Sequence, residues 1–326
     1  VTGPHTQAVA HARTSPPIHF QPGPYRMPQK MTWLLIAVAI AGFAMAEIIS
    51  KRYRDTVHAT SNDTKLELLM SLSLLVFTQP LIVLVTDALC QRFAPHLRNA
   101  WSTLPWWAMV AILLVGDDMM QYWWHRISHS ALLWPLHRAH HSASYMSIRI
   151  TYRNNFFYYL MMPGLWVGAV TLYLGFGTVY AAYVVVKLAV ILGAHCAWAW
   201  DAPLYRIRAL HPLMWIVERT ISTPATHRAH HAITNVDGIG HYKGNFGNLL
   251  FFWDVLFGTA HITRQYPAEV GLRDDQLFGA ERWNHQMFYP LCQSSREYSA
   301  LKFGGQIYSD ESAVEMSLDG AADSTR

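Results

Sequence analysis

Two copies of one word stand out in this chain: His137-Arg138-Ala139-His140-His141 and His227-Arg228-Ala229-His230-His231. A third cluster, His125-Arg126-Ile127-Ser128-His129, lies just ahead of the first copy. With 18 histidines in 326 residues, random placement would give two such H-x-x-H-H words in roughly one chain in a thousand. Residues three and four apart share a face of an α-helix. His125 and His129 therefore point one way, and so do His137, His140 and His141, and separately His227, His230 and His231. Each cluster is a multidentate imidazole ligand assembled by local folding, and neutral imidazole suits iron, zinc, copper or nickel. A closed zinc site takes about four ligands, so these box histidines fit two metals better than one.

His195, in Gly193-Ala194-His195-Cys196-Ala197-Trp198, ends an apolar run, where an ionisable residue is functional by default, and reads as a further ligand. His211 and His241 flank the last box and are weaker candidates, because a histidine in a polar loop is more often solvated or structural. His5, His11, His19, His58, His96, His261 and His285 fall in tails and connections and read as unrelated to the site. Metal-bound histidines usually give their second ring N–H to a carboxylate or carbonyl. Asp118 lies seven residues before His125 on the same helical face, with Tyr122 between them, so both are candidates to stand behind the ligands. The alternative pairs Asp118 with a box arginine such as Arg126. Asp117 looks outward from that stripe.

The elements that must position these residues are apolar. The chain is 52% hydrophobic and 14% charged, with 13 Trp, 16 Tyr and 14 Phe, a composition of a membrane protein rather than a soluble enzyme or a nucleic-acid binder. Met31–Ile49, Leu66–Leu89, Leu104–Trp124, Phe156–Phe176 and Thr178–Trp198 are each close to the ~20 residues that cross a ~30 Å hydrocarbon core. The expected fold is therefore all-α, a multi-span helical integral membrane protein. The first run begins after a Pro-rich polar tail and reads as a span rather than a cleaved signal. Gln79-Pro80 interrupts the second run, and Asp117-Asp118 sits in the third.

A tight turn at Gly175-Phe176-Gly177 makes a hairpin of the last two runs, which puts all three boxes at one membrane face. The concentration of arginine and lysine beside the boxes marks that face as cytosolic. Expected organisation is a disordered tail over 1–30, membrane helices over 31–100, a catalytic region over 101–265 and a partly disordered cytosolic extension over 266–326. Phe246–Phe257 is too short to span and reads as an interfacial helix. Cys90, Cys196 and Cys292 are odd in number and far apart, so no disulfide framework is implied.

Zinc hydrolysis needs an open metal position beside a carboxylate base, often as His-Glu-x-x-His, and neither that motif nor a Ser or Cys nucleophile motif occurs. Soluble di-iron bundles use Glu-x-x-His pairs with further glutamates, and there is almost no acid near these boxes. Two irons held by imidazoles can activate dioxygen, and a membrane-surface site suggests a lipid substrate whose C–H bond enters an apolar cleft.

The order H-x-x-x-H, H-x-x-H-H, isolated His, H-x-x-H-H resembles the fatty acid hydroxylase and sterol desaturase superfamily. Asp118 followed by Tyr122-Trp123-Trp124-His125-Arg126 is similar to the family's approach to its first box, and Thr223-Pro224 precedes the last box as it often does there. Asn245-Phe246-Gly247 and Trp253-Asp254-Val255-Leu256-Phe257-Gly258-Thr259 resemble its closing signature. The resemblance covers about residues 105 to 260. It implies two iron ions ligated by His125, His129, His137, His140, His141, His195, His227, His230 and His231, with dioxygen and two external electrons used to hydroxylate or desaturate a fatty acyl chain, ether lipid or sterol. Some relatives carry a second histidine four residues after the isolated one, where this chain has Ala199. No fused electron carrier is visible, so a separate b-type cytochrome, ferredoxin or reductase is implied. A membrane zinc hydrolase of lipid amides or esters is the rival enzyme class, and a metal transporter, whose ligands would lie at the bilayer midplane, is the rival outside enzymes.

Overall fold

The computed structural model describes residues 29–52, 59–296 and 298–303. The tail expected over 1–30 lies outside these residues except for its last two, which already belong to the first helix, and residues 304–326 of the expected extension lie outside them too. Helix α1 spans Gln29–Ile49. Helix α2 (Ser61–Leu72) runs through a π-helical stretch, Ser73–Thr78, into α3 (Gln79–Phe93), and α4 (Trp106–Leu113) runs through a second π stretch, Leu114–Met119, into α5 (Met120–Ser128). Then come α6 (Trp134–His141), α7 (Phe156–Leu160), α8 (Pro163–Leu174) and α9 (Gly177–His195). Shorter helices follow: α10 (Ala202–Tyr205), α11 (His211–Thr220), α12 (Pro224–His230), α13 (Phe252–Phe257), α14 (Arg273–Phe278) and α15 (Trp283–Phe288). Among the described residues there is no strand, only isolated bridges at Ile221–Leu250 and Ala232–Val270. The fold is all-α, as the apolar runs require.

Among the described residues, three helices are long and apolar enough to cross a membrane: Lys30–Ile49, Ser61–Phe93 and Gly177–His195. Their outer faces are apolar and bare, with Trp33 at 63%, Val76 at 70% and Leu84 at 68% exposure. Apolar surface on that scale is stable against lipid and not against water, so this is a membrane protein. Gln79-Pro80 does not break the second of these helices. The wide π turn directly before Pro80 accommodates its ring and its missing N–H.

Two of the five expected spans are corrected. The third is helical from Trp106 to Ser128, but its Asp117 and Asp118 are buried inside the protein, so it is a core helix as much as a spanning one. The fourth breaks at Met161-Met162-Pro163. Proline forces the residue before it out of the helical region, and Met162 sits at φ −66, ψ 113. What remains is α8, with 12 residues, well short of the ~20 a crossing needs. The expected turn after it is present: Gly175 takes φ +105, and a Cβ there would lie 2.9 Å from that of Ser102. The expected interfacial helix over Phe246–Phe257 is corrected too, because only Phe252–Phe257 is helical and the residues before it are a loop.

The helices are tied together by buried charge. Glu47, near the end of α1, accepts from Ser147 Oγ at 2.8 Å and from the backbone N–H of Ile148 and Ala197 at 2.9 Å, which docks α1 beside the end of α9. Arg153 reaches Asp63 on α2 at 2.7 Å and the carbonyl of Ala139 on α6 at 2.9 Å. Arg138, fully buried on α6, pairs with Asp274 and Asp275 of α14, which also bind Arg296. The described part of the extension expected over 266–326, residues 266–296 and 298–303, is thus tied to the helix of the second box. Burial alone would raise the Asp274 pKa, but Arg138 and Arg296 outweigh it and hold the carboxyl below its usual range.

Two outcomes follow for this clamp. Replacing Arg138 with Met strips Asp274 and Asp275 of a buried partner and lowers stability by about 3 kcal/mol, the low end for a broken buried pair because Arg296 remains. Thermal unfolding in detergent and limited proteolysis of 266–303 measure this, with Arg273→Met as a silent control. Because the Asp274 pKa is depressed in the fold, its contribution is complete above about pH 4 and is lost only below that. Protease release of the segment should therefore begin only in that acid range.

Candidate metal centre

All nine predicted ligands come together, in two groups. His125, His129, His137, His141 and His230 form one; His140, His195, His227 and His231 form the other, and within each group the ligand atoms lie within 4.8 Å of one another. Every one of these side chains is buried except that of His129, which is intermediate. The boxes do not map one to a metal. Each H-x-x-H-H word places its i, i+4 pair in one group and its middle histidine in the other: His137 and His141 oppose His140, and His227 and His231 oppose His230. Ring pairs such as His141–His231, stacked at 4.4 Å between centroids, join the two groups.

Local sequence explains why the histidines face inward at helix ends. Pro135 opens α6 and Pro224 opens α12, where a missing N–H does no harm. Thr223 caps α12 in a reciprocal pair with Thr226, and Asp201 accepts the N–H of Ala225 at 3.0 Å. As a result His125, His140, His141, His195, His227 and His230 all sit in the last turns of α5, α6, α9 and α12. Four helix C-termini, the negative ends of their dipoles, converge where a cation would be stabilised.

The hydrogen bonds test that reading. His125 Nδ1 donates to the carbonyl of Phe246 at 2.7 Å, His230 Nδ1 to that of Gly244 at 2.7 Å, His195 Nδ1 to that of Ile191 at 2.8 Å, and His137 Nδ1 to Asn154 Oδ1 at 2.7 Å. These acceptors carry no proton, so each Nδ1 must hold one, and each neutral ring then presents a bare lone pair at Nε2. Yet His125 Nε2 lies 3.0 Å from His230 Nε2, with no proton to place between them. His195 Nε2 lies 2.9 Å from His227 Nε2 and 3.3 Å from His140 Nε2. His129 Nε2 and His140 Nδ1 are buried without any partner. Burial drives the pKa of His129, His137, His140, His141, His227, His230 and His231 well below the usual imidazole value, with mutual repulsion adding to it, so extra protons are not the remedy. Convergent lone pairs on buried rings fit a bound metal in each group.

Asp118 and Tyr122 require a correction. The Asp118 carboxylate touches neither a histidine nor Arg126. It accepts from Trp253 Nε1 at 2.8 Å and from the backbone N–H of Leu250 at 3.1 Å and Leu249 at 3.4 Å. Asp254 holds the same segment from the other side, accepting from the N–H of Phe246 at 2.8 Å and Gly247 at 2.6 Å. Together they aim the Phe246 and Gly244 carbonyls at His125 and His230. Tyr122 bonds Thr259 Oγ1 at 2.9 Å and receives Arg126 Nη1 at 3.2 Å, so it braces the closing segment rather than a ligand. His211 bonds the Tyr205 carbonyl at 2.9 Å, and His241 lies against His261 with 5.0 Å between centroids; neither joins a group. Asn154 and the three carbonyls escaped the sequence reading. An asparagine beside Asn155 carries no spacing signal, and every residue has a carbonyl.

A cavity of about 310 Å³ opens onto the centre. Its floor is made by His125, His137, His140 and His195, and its walls by apolar side chains of α3, α8 and α9 such as Ile82, Leu165 and Leu188. Asp117, expected to face outward, also lines it. The π turn at Leu114–Met119 rotates less per residue than an α turn and swings Asp117 toward the face of His125.

Removing the Asn154 acceptor should therefore free the His137 ring. Asn154→Leu is expected to weaken metal binding about 10- to 100-fold in the five-histidine group while sparing the other, as read by chelator competition. The metal-free protein should also be acid-sensitive. The folded imidazoles titrate below the ordinary value near 6.5, so the unfolded chain binds more protons as pH falls through about 6.5. Stability is complete above that value and declines below it, which thermal melts of chelator-treated and metal-loaded protein will separate.

Comparison with known proteins accords with this geometry. The family described as fatty acid hydroxylase matches residues 110–259. Curated relatives include alkylglycerol monooxygenase of Xenopus tropicalis, 26% identical over 169 residues (48% of this chain, 31% of the relative), and of Danio rerio, 26% over 175 residues (49% and 31%). The alkylglycerol monooxygenase of Homo sapiens is 29% identical over 163 residues (48% and 32%). The chain thus spans about a third of the length of these relatives. No solved structure matches it. With all nine histidines inside the matched stretch, residues 110–259 belong to the fatty acid hydroxylase and sterol desaturase superfamily.

Proposed function

We propose that this chain is a membrane-bound di-iron oxygenase that uses dioxygen and external electrons to hydroxylate a C–H bond of a lipid. The observation that carries the reading is the pair of histidine groups whose Nε2 lone pairs converge at the floor of an apolar cavity. His125, His129, His137, His141 and His230 would hold one iron, and His140, His195, His227 and His231 the other. Iron held there supplies the reduction of dioxygen and the removal of a hydrogen atom from an unactivated carbon. The balance is one lipid C–H, one dioxygen, two electrons and two protons in; one alcohol and one water out.

The chain's own part is positioning and exclusion. Phe246, Gly244 and Ile191 carbonyls with Asn154 lock four imidazoles in the tautomer that presents Nε2. The apolar walls align a hydrocarbon and keep water from the floor. The relatives' name makes an ether lipid of the alkylglycerol type the first substrate to test, with acyl chains and sterols next. Desaturation by the same site is the second reading, since a second hydrogen abstraction gives a double bond.

In this reading 31–100 supplies membrane helices, 101–265 the catalytic region and 266–326 a cytosolic extension, behind a tail over 1–30. The box face is cytosolic, on the weight of arginines around it. Electrons come from a separate b-type cytochrome, ferredoxin or reductase.

Elemental analysis of detergent-purified protein should find about two irons per chain, and the double variant His140→Ala, His230→Ala, which removes one ligand from each group, should lose them. With a reductant and isotopically labelled dioxygen, lipid products should carry the label as an alcohol. One zinc and no iron after iron-replete expression would sink the proposal and favour a lipid hydrolase.

A further inference from the structure

One ion pair, a buried aspartate with a half-buried lysine, lies apart from the histidine groups and from the clamps around Glu47, Arg138 and Arg153. Lys187 on α9 donates to Asp117 Oδ2 at 2.6 Å, and Tyr183 donates its hydroxyl to the same oxygen at 2.8 Å. Gly164 on α8 leaves room for the carboxylate, since a Cβ there would lie 2.5 Å from Asp117 Oδ1. Charges inside an apolar membrane helix are expensive unless they serve a site. Asp117 and Lys187 both line the cavity. An ammonium carries three N–H donors, and among the described residues Lys187 Nζ gives one hydrogen bond, to Asp117. Among the described residues its other donors meet no oxygen acceptor; Nζ lies 5.6 Å from the Tyr183 ring centroid and faces the cavity.

The register places this pair relative to the metals. Asp117, Gln121 and His125 stand at i, i+4 and i+8 of one helical run, and Lys187, Ile191 and His195 stand at i, i+4 and i+8 of α9. All six line the cavity. At 1.5 Å per residue, both ladders set the ion pair about 12 Å from the ligating histidines. The pair is neutral overall. A carboxylate added to it would leave one uncompensated charge in apolar surroundings, whereas an uncharged oxygen can accept from Nζ without that penalty.

We propose that Asp117, Lys187 and Tyr183 form a specificity-determining polar station that binds a hydroxyl or carbonyl oxygen of the lipid about two helical turns from the carbon presented to the metals. This rests on the reading of the cavity as the site of lipid oxidation. Asp117 orients the ammonium, Tyr183 orients Asp117, and Lys187 makes the contact. The substrate class is then a lipid carrying an uncharged oxygen remote from the oxidised position, in preference to a plain hydrocarbon chain or a free acid.

The test is equilibrium binding to the full-length chain in detergent, without added metal. The probes are a long-chain primary alcohol, the alkane of equal length and the corresponding fatty acid, each competing against labelled alcohol. Wild type should prefer the alcohol over the alkane by roughly tenfold or more, as a hydrogen bond to a charged donor provides. The double variant Asp117→Asn, Lys187→Met leaves no lone charge to unfold the helix and should abolish the preference while alkane binding persists; Lys187→Arg should restore part of it. A preference that survives the double variant, an equal loss for both probes, or tighter binding of the acid would overturn the proposal. Because no turnover is read, these outcomes are independent of the iron and product assays that test the oxygenase reading.

Discussion

Nine imidazoles gathered inside the protein, with their ligand atoms clustered at two points, are the constraint on which the rest of this structure depends. Four of the rings have their Nδ1 proton committed to an oxygen, and burial disfavours a second proton on the others. The arrangement is electrostatically incomplete without cations, and the convergence of four helix C-termini raises that demand. In such a site metal binding and folding are one equilibrium, because the same ligands lie scattered over the unfolded chain.

Much of the surrounding chain acts at one remove, holding the acceptors of those Nδ1 protons. The segment 244–259 buries Phe246, Leu249, Phe251 and Trp253, and two buried carboxylates fix its backbone: Asp118 from the run before His125, and Asp254 from within the segment itself. Asn245, at φ +56, donates to the carbonyls of Thr226 and His261, both at 2.9 Å, and fixes the segment to the start of α12. The polar cluster around Arg138 and Arg153 does the same for α6 from below. A change at any of these residues would act on the histidine groups through ring orientation, not through loss of an imidazole.

The membrane helices and the centre share elements rather than meeting at a joint. α9 enters as an apolar span and ends in His195, and the run from Trp106 to Ser128 ends in His125 and leads directly to His129. The cavity lies between those runs and α3 and α8, so the apolar side chains of the membrane helices also wall the approach to the imidazoles. The break before Pro163 shortens α8 and brings Met162 and Leu165 to the cavity wall.

The sequence by itself determined the ligand types, their helical faces and the apolar lengths, because these depend on periodicity within one turn or one span. His137 and His141 must share a face whatever the tertiary fold, and His195 is conspicuous by its apolar neighbours. Tertiary structure alone decided that His140 leaves its box partners for His195, His227 and His231, since that depends on the angles between α6, α9 and α12. It also decided that Asp118 serves a loop 131 residues away and that a π turn brings Asp117 inward. The acceptors behind the ligands were the least legible: a backbone carbonyl is the same in every residue, and only the path of the chain selects which one meets a histidine.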